Sequence, residues 1–174
     1  MNTVIIIPAR YKSTRFPGKP LTPILGKPMI LWVAELCAEV LPAQCVFIAT
    51  EDLQIKEVVE KAGFNVVMTS DKCLTGTDRL AEVATQIEAD IYVNVQGDEP
   101  LLNPADILKI IEAKKMYPNE VINGYSKIGD NEEPESVNIP KVIFNEDQQM
   151  VYMSRNLLPG TKTKDFAPPD YYKQ

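Results

Sequence analysis

Short β-branched runs separated by helical stripes govern what this chain can fold into. Residues 4–8, Val-Ile-Ile-Ile-Pro, form an apolar run with no polar alternation, the pattern of a strand covered on both faces within a parallel sheet. Behind Pro28, residues 29–40 carry Ile30, Val33, Ala34, Cys37 and Val40 at helical spacing, with Pro42 as the stop. Residues 45–49 read as a second buried strand. Residues 53–62 read as a helix with Leu53, Val58 and Ile55 as its inward candidates and Gly63 just past its end. A third strand at 66–68, a helix at 78–87, a fourth strand at 91–96, a helix at 104–116 opened by Pro104 and a fifth strand at 121–126 continue the alternation. It predicts an α/β fold: a mostly parallel sheet with crossover helices on both faces. Ligands in such sheets bind beyond the carboxyl ends of the strands. After residue 126 the pattern changes. Residues 141–144 and 150–153 flank 145–149 as a C-terminal β-hairpin, and residues 159–170 are polar and Pro-rich.

Composition narrows the function classes. The 174 residues fit one domain, 1–174, able to bury a core without disulfide or metal staples. The net charge of −6 argues against a nucleic-acid partner. No apolar run is long enough to span a membrane, and the N-terminus lacks the basic leader of a signal peptide. Cys37, Cys45 and Cys73 form no C-x-x-C pair, which suits reduced thiols in a cytoplasm. The absence of histidine excludes Ser-His-Asp and Cys-His catalytic pairs and His-based zinc sites. Any metal must then be a hard ion held by oxygen: Mg²⁺, Mn²⁺ or Ca²⁺.

Charge is unevenly spread. Residues 1–30 hold five basic side chains (Arg10, Lys12, Arg15, Lys19 and Lys27) and no acid. The remainder holds 13 basic and 24 acidic side chains, a balance of −11. Arg10, Arg15 and Lys19 fall within ten residues, on a loop that follows the first strand and is stiffened by Pro17 and Pro20. Arginine forks grip phosphate oxygens and lysine adds a movable charge, so a triphosphate would satisfy the set. The loop matches neither the G-x-x-x-x-G-K-[ST] nor the G-x-G-x-x-G pattern.

Three further segments carry chemistry. Gln96-Gly97-Asp98-Glu99 follows the fourth strand, where a carboxylate can hold a divalent ion at the sheet edge or simply close the turn; Asp98 is the better ligand candidate. In residues 75–82, Thr77 or Asp78 can cap the following helix, while the Gly-Thr backbone and Arg79 offer contacts to a base edge or a phosphate. Arg155, emerging from the hairpin, is either a surface arginine or a carboxylate binder.

The segments IIIPARYKSTRFPGKPL, GKPMI, TGTDRLAEV, VNVQGDEPLL and VYMSRNLLP, in this order from residue 4 to about 160, resemble the 3-deoxy-manno-octulosonate (Kdo) cytidylyltransferase family. The resemblance implies a Rossmann-like nucleotide-diphospho-sugar transferase fold. It also implies a transferase reaction in lipopolysaccharide biosynthesis, in which the anomeric hydroxyl of a Kdo-like sugar acid attacks the α-phosphate of CTP and pyrophosphate leaves. By the same resemblance Arg10, Ser13, Arg15 and Lys19 bind the triphosphate and Ala9 touches cytosine through its backbone. Thr77 and Arg79 belong to the base-recognition segment, Gln96 and Arg155 contact the sugar, and Asp98 is the magnesium ligand. Arg10, Arg15, Lys19 and Asp98 form the catalytic set, Mg²⁺ is the cofactor, and the full-length protein is expected to be a cytoplasmic homodimer.

Family members run longer. The resemblance assigns to the C-terminal third that follows in them a second acidic metal ligand, much of the sugar pocket and the dimer contacts. Residues 136–142 also depart from the family's Asn-x-Val-Lys-Val spacing, which points to a Kdo variant such as 8-amino-Kdo. Two alternatives stand beside this reading: a non-catalytic nucleotide-binding fragment, and a sugar nucleotidyltransferase with another base or sugar specificity.

Overall fold

The computed structural model describes residues 1–12, 16–160 and 170–174. By internal packing the chain divides into two units, Met1–Glu120 and Val121–Gln174.

The first unit is built on strand β1 (Thr3–Pro8). A loop leads through a two-strand ribbon, β2 (Pro23–Ile24) and β3 (Lys27–Pro28), to helix α1 (Met29–Ala38). Leu25 and Gly26, both at positive φ, make the two-residue turn of the ribbon. Strand β4 (Val46–Thr50), helix α2 (Leu53–Lys61), strand β5 (Asn65–Met68), helix α3 (Gly76–Ala84), strand β6 (Ile91–Asn94) and helix α4 (Pro104–Met116) follow. The strands form one all-parallel sheet in the order β5-β4-β1-β6.

The continuous apolar run of β1 is explained by what covers it. Ile5 and Ile7 face α1, α2 and α4, packing with Ile30, Val33, Ile55, Val59, Ile107 and Ile111. Val4 and Ile6 face the other way, toward Val83 of α3 with Ala49 and Val67. Each such side chain taken from water contributes ~2 kcal/mol. The buried Cys37 thiol belongs to the first of these layers, and burial pushes its pKa up to about 12.

The predicted elements are met with three corrections. Helix α2 turns Ile55 and Val59 inward and leaves Leu53 exposed, contrary to the expected Leu53/Val58 face. Asp52 caps the helix through the amides of Gln54 and Ile55, so Leu53 is its first residue and lies off the 55/59 stripe. Gly63 ends the helix as expected: at φ 87 its amide reaches Glu60 O, and that of Phe64 reaches Val59 O. Helix α3 begins two residues before the predicted start and is capped by Thr75, not by Thr77 or Asp78. Asp78 takes the third helical position and closes a reciprocal capping box with Thr75. The fifth parallel strand at 121–126 is not formed. Val121 is exposed, and regular pairing begins only at Ser126.

The second unit is an antiparallel sheet of β7 (Ser126–Lys127), β8 (Lys141–Phe144), β9 (Met150–Ser154) and β10 (Tyr172–Lys173), in the order β7-β10-β8-β9. The expected hairpin is β8–β9, with a register shift at Ile143/Phe144. Tyr125, Phe144 and Tyr172 stack with ring centroids 4.6–5.7 Å apart. Lys141 is fully buried, and its ammonium donates to Ser136 O at 2.7 Å and Arg155 O at 2.6 Å. Met150, Val151, Tyr152 and Met153 are all exposed along β9.

Candidate active site

A cleft of about 410 Å³ opens in the first unit beyond the carboxyl ends of β1 and β6. Its size lies within the usual range for small-ligand sites. The floor depends on two residues without side chains. A Cβ on Gly97 would stand 2.9 Å from Pro8 O, and one on Gly76 would stand 3.1 Å from Pro8 Cγ. Glycine at both positions therefore lets the 96–98 turn and the start of α3 close around the end of β1.

The first loop supplies one wall. Ala9 is buried, with its amide on Ala49 O at 2.8 Å. Arg10 is exposed and reaches Leu74 O through Nη1 at 3.4 Å. Gly18, at φ 72, returns the chain toward Tyr11, and its amide donates to Tyr11 O at 2.9 Å. Lys19 then projects across the cleft to Asp98 Oδ2 at 2.5 Å, with both side chains still partly solvated. Ser13 and Arg15, which the sequence put on this loop, lie outside the described residues.

The opposite side comes from the 96–99 turn. Gln96 and Asp98 are exposed and line the cleft. The Glu99 carboxyl is raised above the usual glutamate range by burial and then by the neighbouring Asp98 charge, although much of the residue still meets solvent. Among the described residues no three acidic, cysteine or histidine side chains gather into a metal cage. Asp98 nevertheless suits a hard divalent cation. It is an oxygen donor facing open volume and already attracts an ammonium, and such an ion takes its remaining ligands from phosphate and water.

The third wall is the segment before α3 with the first turn of that helix. Cys73, Thr75, Gly76 and Arg79 line it. Arg79 is 3% exposed, with Nη2 2.6 Å from Glu51 Oε2 and Nη1 donating to Thr69 Oγ1. Glu51 Oε2 is buried and its partner is this charge. The structure thus gives Arg79 a load in the protein itself as well as a place in the cleft wall. Thr77 is exposed and is not among the lining residues. Arg155 belongs to the second unit, where Nη1 donates to Val137 O at 3.0 Å and Asn138 O at 3.2 Å.

Sequence reasoning missed Glu51 and Cys73. Glu51 follows a strand like many solvated acids, and only the fold brings Arg79 to it. Thr75 carried a readable signal, since Thr-x-x-Asp is a capping-box pattern.

The chain matches the cytidylyltransferase family over residues 4–172. It belongs to that family. Two cytidylyltransferase relatives are named 8-amino-3,8-dideoxy-manno-octulosonate cytidylyltransferase. The one from Shewanella amazonensis is 41% identical over 91% of this chain and 67% of its own length, and the one from Shewanella piezotolerans is 42% identical over 95% and 70%. A solved CMP:2-keto-3-deoxy-manno-octonic acid synthetase complexed with CTP superposes with a TM-score of 0.87 at 36% identity, covering 100% of this chain and 74% of that one. A cytidylyltransferase from Leptospira borgpetersenii, at 24% identity and a TM-score of 0.58 over 76% of this chain and 56% of that one, shares the fold. The nucleotidyltransferase fold expected from the sequence is thereby established. No helix among the described residues is long and apolar enough to cross a membrane.

Proposed function

We propose that this cytidylyltransferase transfers CMP from CTP to 8-amino-3,8-dideoxy-manno-octulosonate, releasing pyrophosphate, in the supply of activated sugar for lipopolysaccharide. The observation that carries the reading is 41–42% identity, over 91–95% of the chain, to relatives named for that reaction. Kdo itself is the second reading, favoured by the name of the superposing synthetase.

In the proposed reaction the anomeric hydroxyl oxygen bonds to the α-phosphorus, the bond from that phosphorus to the β-phosphate bridge breaks, and the hydroxyl proton passes to solvent. Such transfers demand positioning and charge neutralisation more than covalent help from the protein. Arg10 and Lys19, with Ser13 and Arg15 on the same loop, would hold the triphosphate and stabilise charge on departing pyrophosphate. Ala9 would meet cytosine through its backbone, with Thr77 and Arg79 in the base-recognition segment. Gln96 and Arg155 would contact the sugar. Asp98 would hold Mg²⁺, which when bound supplies Lewis-acid polarisation of the phosphates. Lys19 would then exchange its ion pair with Asp98 for phosphate oxygens. A cytoplasmic setting, in keeping with three free thiols, and a homodimer of the full-length protein belong to the same proposal. So does a single nucleotidyltransferase domain comprising both units.

The test is pyrophosphate release by the product of the whole open reading frame. Each of the four nucleoside triphosphates is supplied with Mg²⁺ and either Kdo or 8-amino-Kdo. Turnover with CTP and the amino sugar, lost in Asp98→Asn, is expected. Turnover with UTP or GTP in place of CTP, or with neither sugar, would overturn it.

A further inference from the structure

Glu82 lies on α3, outside the cleft lining, yet its carboxylate gathers the segment that builds the third wall. Oε1 and Oε2 accept the Ser70 amide at 2.9 and 3.0 Å, and Oε2 also accepts the Cys73 thiol at 3.1 Å. The thiol is held in its donor form, its pKa raised by burial and then by the Glu82 carboxylate. One residue further on, Leu74 O receives the Arg10 guanidinium, and after it Thr75 caps α3. The segment is thus fixed at its far end by the capping box and along its length by one acid side chain. Its only described grip on Arg10 is the carbonyl between those two points.

We propose that Glu82 is a positioning residue for nucleotide binding: by clasping Ser70 and Cys73 it sets the Leu74 carbonyl that aims Arg10 into the cleft. The inference rests on the proposed function, because it takes Arg10 as a phosphate ligand. It extends that reading to an acidic residue that would itself repel the nucleotide if it faced the cleft. The Ser70 amide and the Cys73 thiol both turn to this one partly buried carboxylate, and without it both lose that acceptor. Releasing the clasp therefore frees the 70–75 segment instead of leaving it in place.

The experiment titrates CTP with Mg²⁺ calorimetrically into the full-length protein and its variants, with the rate of Cys73 alkylation read in parallel. Glu82→Ala is expected to weaken CTP binding about tenfold and to accelerate alkylation. Glu82→Gln keeps an acceptor for the Ser70 amide and should lose less than about threefold. In an Arg10→Ala background Glu82→Ala should add less than about twofold, since the residue through which it acts is gone. Should Glu82→Ala not fold, Glu82→Asp, which keeps the charge but shortens the reach, carries the same comparison. Equal losses with and without Arg10, or unchanged CTP affinity beside fast Cys73 labelling, would overturn the positioning role alone. Wild-type protein that binds no CTP would overturn the proposed function and this inference with it.

Discussion

Gly97→Ala is the sharpest probe of how the cleft is built. Gly97 is not among the positive-φ glycines, so alanine fits its backbone torsions and the obstacle is space alone. The added methyl would stand 2.9 Å from Pro8 O, 3.1 Å from Ile30 Cδ1 and 3.5 Å from Ile7 Cγ2. Ile30 can turn a methyl aside, but Pro8 O is backbone at the end of a strand paired on both sides. The 96–98 turn must then move outward by about 0.5 Å to reach ordinary contact. Overpacking of this kind costs ~1–3 kcal/mol, and the lower entropy of the unfolded alanine chain returns ~0.4–1 kcal/mol. A net loss of about 1–2 kcal/mol lowers Tm by roughly 2–8 °C for a chain of this size. Gly129→Ala is the control. That glycine also has no positive φ, and its nearest contact would be Glu132 Oε2 at 3.4 Å, so its Tm should not fall and the stiffer unfolded chain should raise it by about 1–4 °C. Scanning calorimetry of both variants decides the matter. A Gly97→Ala protein as stable as wild type would mean that the turn does not press on β1, and the account of the floor would fail.

Two further outcomes follow from the charged pairs. Arg79→Met leaves the Glu51 carboxylate without its cation in a nearly buried place. Urea denaturation should register a loss of about 3–5 kcal/mol, much of it recovered in Arg79→Met/Glu51→Gln; a loss under about 1 kcal/mol would refute the pairing. Glu132 has its pKa lowered first by the hydrogen bond from Lys173 and then by the Gly129 amide. Its contribution is therefore present above the ordinary glutamate range and is lost as pH falls through the lowered folded value. Hydrogen exchange at the Ile128 amide, bonded to Tyr171 O, should speed up below about pH 4 beyond the intrinsic trend, and a flat protection factor would contradict it.

Sequence pattern carried the first unit because its elements obey local rules. The uninterrupted run of β1, the Ile30/Val33/Ala34/Cys37 stripe, Gly63 and Pro104 each announce a structure that needs no distant partner to be recognised. The pattern failed where neighbours decide. Val121 and Ile122 look like a strand, but among the described residues no strand pairs with them, and Ser126 and Lys127 pair instead with residues 172–173. In the cleft, Arg10, Lys19, Gln96 and Asp98 were legible because each stands just past a strand end or on the loop beginning there. Glu51 and Glu82 were not. Each acts on a residue brought to it by tertiary folding, and nothing within a short window distinguishes them from solvated acids.

The ammonium of Lys141 is held by peptide dipoles, with no carboxylate among its described contacts. Dissolved ions screen exposed charges and hardly reach one enclosed by its own backbone. The ion pairs Lys127–Asp170 and Lys173–Glu132 sit in partial contact with water and will soften in brine. Rising ionic strength should therefore loosen the second unit from its rim inward, leaving the knot of residues 136, 141 and 155 as the last to yield.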